Sequence, residues 1–491
     1  MEKTMIKFGT DGWRDIIADQ FTFEKVKAVS QGVSNYLKKK VGDSRIPCVA
    51  LGYDTRFLSE RFAQAAAEIF RLNGINVYFS DRIIPTPILS YAVLERKADL
   101  GIMITASHNP YYYNGYKIKD PFGGSAAVDI IMKIEDEISE VFKNTAKYRD
   151  FLYSKSTNGN NIKKVDFISS YRQNILGQVN RDVIKGFDFG LLLEPMYGAA
   201  QGIYRSIIET FNPKNLTEIH SALNPAFGGI SPEPIGDNLA EAESILKDKK
   251  CKLAICLDGD GDRIAVLGEN GNYISAHHIY AIVLWYLATR KKMKGKVVKS
   301  VNLSSIADKI CSKYNLELIT TPVGFKYIAE EILKGEVIIG GEESGGLWAG
   351  GDLPERDGML IGLKLLEIIC STGMTINQIL DKIYSEFGYF VFDRIDYKID
   401  LPRKEKLKSI LEKGIPEILK NAGAAKVITL DGYKYIMEDG SWIMIRPSGT
   451  ESVVRIYTEG EDKEKTNYLQ DLGKKIISSV FQKIINFRKQ Y

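Results

Sequence analysis

The chain reads as α/β: three related α/β domains with mixed sheets, then a C-terminal α+β domain. Three observations carry that reading. Apolar strand-like runs alternate with amphipathic helical stretches as far as about Phe387. The order of these elements recurs three times, each time with its most unusual loop after its last strand, as in related domains that face ligand with strand carboxyl ends. Beyond Tyr389 the pattern changes to short alternating strands closed by a helix. With 491 residues, the chain exceeds one core at roughly 150 residues per domain.

The first unit opens on the glycine loop Phe8–Asp15, followed by an amphipathic helix over Thr22–Lys39. The strand Pro47–Leu51 runs into Gly52–Arg56 and then a helix over Ser59–Leu72, whose alanines, Ile69 and Phe70 form an apolar face of helical period. A strand over Ile75–Phe79, the turn Pro85–Pro87 and a helix to Arg96 lead to the short apolar run Leu100–Ile104, a buried strand. The loop Thr105–Pro110 follows. Its Asn-Pro stops regular structure, because proline lacks an N–H and pushes the preceding residue out of the helical region. Ser107 is therefore expected on a fixed, exposed turn, which is either where a nucleophile is placed or an ordinary polar loop with a turn-forming Asn-Pro.

The second unit has the strand Gly190–Leu193, a helix through Thr210, a short strand near Glu218, a helix over Asn238–Lys249 and the strand Leu253–Leu257, which meets Asp258. The third has the strand Val297–Val301, helix Ser305–Tyr314, strand Leu316–Thr320, helix Tyr327–Leu333 and strand Val337–Ile339, which meets Gly340. The last domain is expected to hold strands over Phe390–Tyr397, Lys426–Leu430, Tyr433–Met437, Trp442–Ile445 and Val453–Tyr457, closed by a helix over Lys465–Phe487. The polar run Tyr153–Asn161 and the segment Tyr384–Gly388 mark boundaries. The expected domains are 1–158, 159–272, 273–387 and 388–491.

Composition narrows the function. Lysine and arginine total 66 against 62 acids, a net charge of +4 without long basic blocks, so no nucleic-acid arm is expected and partners are small molecules. The five cysteines, Cys48, Cys251, Cys256, Cys311 and Cys370, form no CxxC and lie mostly in apolar segments, as buried reduced thiols do. Met1–Met5 lacks a signal-peptide core, and the longest apolar helix, Ile279–Ala288, falls short of the roughly 20 residues that cross a bilayer. A soluble cytoplasmic protein without a membrane partner is expected.

Asp258-Gly259-Asp260-Gly261-Asp262-Arg263 is the strongest local signal. On a regular strand alternate carboxylates stand roughly 7 Å apart, but interleaved glycines let the backbone curl until they converge. Clustered carboxylates repel unless a cation neutralises them, and hard oxygen ligands favour magnesium; the alternative is a plain surface turn. An EF-hand has the spacing Asp258, Asp260, Asp262 and Glu269, yet Arg263 stands where that loop needs glycine, and strands flank it. Gly340–Gly346, with Glu342, Glu343 and Ser344, is a loop that wraps a sugar or a flexible hairpin. Thr321–Lys326, with Lys326 its only charge, is equally ambiguous. Arg446–Glu451 combines a guanidinium, two hydroxyls and a glycine in an anion nest with Arg455 nearby, or else is a tight turn. Lys117 follows the serine loop closely enough to return to it, as a proton carrier or an electrostatic clamp. His108 stands beside Ser107, but adjacent side chains generally diverge, and nothing specifies a Ser-His-Asp triad.

Taken in order, Thr105–Pro110, Asp258–Arg263, Gly340–Gly346 and Arg446–Glu451 resemble the α-D-phosphohexomutase superfamily over essentially the whole chain. Phe8–Arg14, Gly52–Arg56, Asn114–Lys117, Pro232–Pro234, Val323–Lys326 and Pro354–Gly358 add to the resemblance. It implies a four-domain, heart-shaped enzyme around a central cleft that interconverts hexose 1-phosphate and hexose 6-phosphate. Ser107 would be carried as phosphoserine, with Asp258, Asp260 and Asp262 holding Mg2+ that also touches this phosphate. The serine would give its phosphoryl group to substrate, forming a hexose 1,6-bisphosphate that turns over and returns the other phosphate. Arg14, Lys117 and His108 would lie at the reacting centre, with Lys117 the preferred general acid/base. Arg263, Gly324, Lys326, Glu342 and Ser344 would bind substrate, and Arg446, Ser448, Gly449, Thr450 and Arg455 the non-reacting phosphate.

Two positions depart from many relatives: Gly346 stands where a histidine often follows Ser-Gly, and Gly449 replaces a common asparagine. The loop forms look more like phosphoglucomutase-type members than phosphoglucosamine mutases. The expected activity is phosphoglucomutase, with glucose 1,6-bisphosphate as activator; the alternatives are phosphomannomutase or a bifunctional phosphoglucomutase/phosphomannomutase and, ranked below these, phosphoglucosamine mutase, in a monomer or homodimer. The rivals of another class are a metal-dependent phosphatase and a non-catalytic sugar-phosphate-binding protein.

Overall fold

Why the serine loop lies where it does follows from a mixed sheet of six strands. The computed structural model describes residues 6–9, 11–144, 146, 148, 161–448 and 452–487. Its strands run in the order Trp13–Ile16, Tyr113–Lys119, Leu100–Ile104, Cys48–Tyr53, Asn76–Ser80, Ile162–Val165. Cys48–Tyr53 pairs in parallel with both neighbours, so its side chains are covered on two faces and read as a continuous apolar run. Tyr113–Lys119 returns antiparallel to Leu100–Ile104, and Trp13–Ile16 pairs antiparallel to it in turn.

Helices cover this sheet. The helix Phe23–Val41 starts at Thr22, whose side chain accepts from the Lys25 N–H and satisfies one of the donors a helix start leaves open. It buries Val26, Val29, Val33 and Leu37, one helical stripe, in a core shared with Phe62, Ala66 and Phe70 of the helix Ser59–Leu72.

The second sheet repeats the plan with five strands, ordered Tyr273–Ile274, Ile264–Gly268, Cys251–Leu257, Gly190–Glu194, Asn215–Glu218. Gly190–Glu194 pairs in parallel with its neighbours, and Ile264–Gly268 returns antiparallel to Cys251–Leu257. In the third α/β domain Val337–Gly341 is met antiparallel by Leu347–Trp348. In each domain the unusual loop thus joins a buried strand to an antiparallel return strand. These return strands are absent from the sequence expectation, because the glycines and charges of Tyr113–Lys119 do not alternate in a strand-like way.

The chain forms two compact units. One runs to Lys296 and resumes over Gly324–Ile379; the other comprises Val297–Val323 and the chain from Leu380. The second unit is built on an antiparallel sheet ordered Val391–Lys398, Val453–Gly460, Trp442–Pro447, Tyr433–Met437, Ala424–Ile428. The helix Lys463–Phe487 lays Leu469, Leu472, Ile476 and Ile477 on that sheet's Ile443, Ile445 and Ile456. Three α/β domains with mixed sheets and a C-terminal domain with an antiparallel sheet make up the protein.

Two helices differ from expectation. Asn238–Lys249 is a 3-10 turn over Gly236–Leu239 followed by an α-helix over Ala240–Asp248, and the helix to Thr210 ends at Ile208 before another 3-10 turn. Both changes lie at helix ends, where the tighter turn takes up unpaired backbone groups. Of the polar boundary run only Asn161 is among the described residues. Among the described residues no single helix is long and apolar enough to cross a membrane.

Candidate active site

Ser107 sits between the strands Leu100–Ile104 and Tyr113–Lys119 with a left-handed backbone, φ 53°. A non-glycine residue adopts that conformation only where its surroundings insist. Here Arg56 does so: its buried guanidinium donates to the carbonyls of Ser107 and Asn109, both at 2.6 Å, and of Pro110 at 2.8 Å. Asp54 pairs with the Arg56 Nε at 3.2 Å. The Ser107 N–H is taken by Thr105 Oγ1 at 2.9 Å. Contrary to expectation the serine is 1 % exposed rather than presented on an open turn. The Asp258–Arg263 loop covers it, an arrangement that the hexapeptide alone does not encode.

Ser107 Oγ donates to Asp258 Oδ2 at 2.9 Å and lies 3.3 Å from His108 Nδ1. The two adjacent side chains converge instead of diverging, on a backbone turned by the positive φ. Burial, then the charges of Arg263, Arg14, Lys117 and Arg56, hold His108 well below the ordinary histidine range, so the ring facing the hydroxyl is neutral. Arg14 Nη1 donates to Asn109 Oδ1 at 2.8 Å, which places its guanidinium on the same loop.

The three aspartates converge. Carboxylate oxygens of Asp258, Asp260 and Asp262 lie within 4.8 Å of one another, and all three side chains are buried. Asp258 Oδ1 accepts from the Arg263 N–H at 3.0 Å, closing the loop on itself. Lys117 Nζ stands 2.8 Å from Asp260 Oδ2 and 3.0 Å from Asp262 Oδ2, while Thr86 Oγ1 also donates to Asp260 Oδ2. The Oδ1 atoms of Asp260 and Asp262 are buried without a partner. Two orphaned carboxylate oxygens beside a serine hydroxyl fit a hard, oxygen-preferring divalent cation such as Mg2+. Burial, then repulsion from Asp260 and Asp262, pushes Asp258 well above the usual carboxylate range. Burial alone would also raise Asp260, but the Lys117 charge overrides it and holds that carboxylate low. Lys117, fully buried, is held above the ordinary lysine range: Asp11, Asp260 and Asp262 outweigh a burial that by itself lowers it.

Two charged residues enter this cluster without having been singled out in the sequence. Asp11 Oδ2 lies 2.8 Å from Lys117 Nζ and 2.6 Å from Arg356 Nη2. Arg356 Nη2 lies 2.8 Å from Asp262 Oδ2. Both stand in stretches that carry the family resemblance, Phe8–Arg14 and Pro354–Gly358, which is the signal that would have found them.

Glu342 is buried, its pKa pushed up to about 7 by burial against the opposing charges of Arg356 and Arg263, and it is bonded to the Gly324 backbone. The structure thus brings Gly324 and Glu342 together. Arg263 Nη1 faces Glu233 at 3.4 Å. Ser344 is half-buried on the turn after Glu342, and Lys326 lies 4.9 Å over the ring of its neighbour Tyr327.

In the C-terminal domain Arg446 and Arg455 are directly opposed across two strands. Like charges in that register repel unless acids or an anion intervene. Asp431 Oδ1 accepts from Arg446 Nε at 3.0 Å and its Oδ2 from the Val323 N–H at 2.9 Å, and Asp396 faces Arg455 at 3.4 Å. Lys404 Nζ donates to the Ser448 carbonyl at 2.9 Å. Gly449 and Thr450 lie outside the described residues.

Known proteins resemble the chain over nearly its whole length. Successive segments match the phosphoglucomutase/phosphomannomutase family: alpha/beta/alpha domain I over residues 5–145, domain II over 169–271, domain III over 275–387, and the C-terminal domain over 398–472. A phosphoglucosamine/phosphogalactosamine mutase of Sulfurisphaera tokodaii is 31% identical, over 96% of this chain and 98% of its own. A phosphoglucomutase/phosphomannomutase of Thermococcus kodakarensis is 28% identical over 97% and 99%. Among solved structures, a Thermus thermophilus protein described as a phosphomannomutase superposes with a TM-score of 0.83 at 30% identity, covering 96% of this chain and 99% of that one. The N-acetylphosphoglucosamine mutase of Aspergillus fumigatus, solved with GlcNAc-6P and magnesium, shares the fold at a TM-score of 0.58 and 14% identity, over 97% and 95% of the two chains.

Proposed function

Because this chain belongs to the phosphoglucomutase/phosphomannomutase family of α-D-phosphohexomutases, we propose that it is a phosphoglucomutase, interconverting glucose 1-phosphate and glucose 6-phosphate. The observation that carries the reading is Ser107 Oγ, 2.9 Å from Asp258 Oδ2 and beside an acid cluster with two orphaned oxygens.

In this reading Ser107 is the phosphoryl carrier. Its Oγ–P bond breaks as a bond forms between phosphorus and a sugar hydroxyl oxygen, and the proton lost by that hydroxyl ends on the freed serine oxygen. The resulting glucose 1,6-bisphosphate then gives its other phosphoryl group back to Ser107. Phosphoryl transfer asks little of the protein beyond positioning and charge neutralisation. Arg14 and Lys117 supply fixed positive charge, and neutral His108 stands 3.3 Å from the serine oxygen. Of the two roles its position allows, Lys117, kept protonated by Asp11, Asp260 and Asp262, takes that of electrostatic clamp. Asp258, Asp260, Asp262 and the serine oxygen would hold Mg2+, which when bound supplies charge neutralisation at the phosphoryl group. Glu342, Ser344, Gly324, Lys326 and Arg263 take the sugar, and Arg446, Ser448, Gly449, Thr450 and Arg455 the non-reacting phosphate.

A second reading rests on the relatives. The Sulfurisphaera tokodaii protein is named for hexosamine phosphates, so glucosamine phosphates are the competing substrates, with mannose phosphates the third. A coupled assay over glucose, mannose, glucosamine and N-acetylglucosamine phosphates, with and without Mg2+ and bisphosphate, tests all three. Isomerisation of glucose 1-phosphate without stoichiometric free phosphate is expected. Faster turnover of a hexosamine phosphate replaces the first reading by the second. Net phosphate release makes the protein a phosphatase, and ligand binding without turnover a binding protein.

A further inference from the structure

Position 346 has no side chain, and another residue fills its space. A Cβ built on Gly346 would fall 2.3 Å from Arg356 Cδ and 2.9 Å from its Cγ, far inside any ordinary contact. Neither backbone is free to yield. Gly346 bridges Arg263, its carbonyl accepts from the Glu342 N–H at 3.0 Å, and the preceding carbonyl, of Gly345, accepts from Ile264 N at 3.1 Å. Beside Arg356, the Asp357 N–H donates to the Leu347 carbonyl at 3.1 Å, and the Asp357 carboxylate caps the helix Gly358–Thr372. Only the arginine side chain could move to admit a larger residue.

The guanidinium that occupies this space is the one that grips the acid cluster. Arg356 Nη2 holds Asp11 Oδ2 at 2.6 Å and Asp262 Oδ2 at 2.8 Å, the same two oxygens that Lys117 Nζ contacts at 2.8 and 3.0 Å. With Oδ2 of Asp262 held by two cations, its Oδ1 is left buried and without a partner. We infer that Arg356 is a positioning residue of the metal loop: it occupies the side-chain space of Gly346 and turns Asp262 so that Oδ1 faces the cation.

This inference rests on the metal reading of the Asp258–Arg263 loop, and its test does not need turnover. Groups that orient metal ligands typically alter metal affinity 10- to 100-fold when removed. Arg356→Ala also deletes a positive charge, which by itself favours cation binding, so it serves only as a background. The charge-conserving changes are Gly346→Ala, which displaces the guanidinium, and Arg356→Lys, which removes its fork. Manganese(II) binding, read by electron paramagnetic resonance, gives the affinity directly.

Gly346→Ala and Arg356→Lys are each expected to weaken Mn2+ binding about tenfold. In the Arg356→Ala background the added methyl meets vacated space, and Gly346→Ala should leave affinity within twofold. Equal effects of Gly346→Ala in both backgrounds, or parental affinity in Gly346→Ala and Arg356→Lys, would overturn the inference. Thermal melts identify a variant that does not fold, and Arg356→Lys carries the test if Gly346→Ala is one. Absence of mutase activity toward every hexose phosphate would remove the proposed function while leaving this binding cycle readable.

Discussion

Replacing Gly259 by alanine is expected to disable catalysis while sparing the fold. A Cβ there would stand 2.5 Å from the Ser107 carbonyl oxygen and 3.1 Å from Pro232 Cγ. The serine carbonyl cannot retreat easily, because Arg56 Nη2 holds it at 2.6 Å. The metal loop is tied as well, through the Gly259 N–H to the Pro232 carbonyl at 3.0 Å. Restoring ordinary contact requires the two loops to separate by about 0.5–0.9 Å, and a misplacement of that order between reacting groups costs up to about 100-fold. We expect kcat to fall about 10- to 100-fold with KM little changed, and overpacking to cost roughly 1–3 kcal/mol of stability. Steady-state kinetics in the coupled assay measure the first and thermal melts the second. Gly236→Ala is the control, since a Cβ at Gly236 meets nothing within 4 Å. A kcat within twofold of the parent for Gly259→Ala, or an equal loss in the control, would refute the argument that loop contact sets the serine's geometry.

Ser107→Ala should take up no phosphate from glucose 1,6-bisphosphate, read by intact-protein mass, and should lose turnover to background; phosphate on another residue would move the carrier elsewhere. Lys117→Met removes the cation shared by Asp11, Asp260 and Asp262, leaving Arg356 on Asp11 and Asp262. Removing one partner of a buried pair costs roughly 3–5 kcal/mol. The variant should therefore melt lower than the parent in chelator and gain more from added Mg2+. Glu342, raised to about 7 from an ordinary 4.5, keeps a proton in the fold that the unfolded chain releases. Its contribution to stability is therefore full below pH 4.5 and is lost as pH rises through about 7, on the order of 3 kcal/mol in all. Denaturant titrations across that range should show a shallower decline for Glu342→Gln. Chelation should stop turnover and Mg2+ restore it, with Asp260→Asn needing more Mg2+ for half-maximal rate.

Much of the first three domains was legible because local chemistry dictates it. The helix Ser59–Leu72 and the strand Leu100–Ile104 stand where their periodicity predicts, each bounded by turn-forming residues. The loop Asp258–Arg263 was legible because its interleaved glycines let three carboxylates converge, and converged carboxylates call for a cation. The return strand Tyr113–Lys119 escaped notice, because its Asn-Gly-Tyr-Lys pattern is set by what packs on either face rather than by an apolar period. Asp11 and Arg356 escaped for another reason: each looks like an ordinary surface charge until its partner is known.

By itself the sequence determined the order of elements, the places where regular structure stops and the residue types gathered at each stop, since helix period, strand run and proline or glycine turns are properties of neighbouring residues. Only the tertiary structure decided what those stops do. Ser107 meets Asp258 across 151 residues, Lys117 meets Asp262 across 145, and Asp11 meets Arg356 across 345. Burial turned a turn serine into an enclosed one. It also made a lysine the counter-ion of three carboxylates and left position 346 room for nothing but glycine. Charge pairing and desolvation depend on which groups share a space, and that is fixed when distant segments pack.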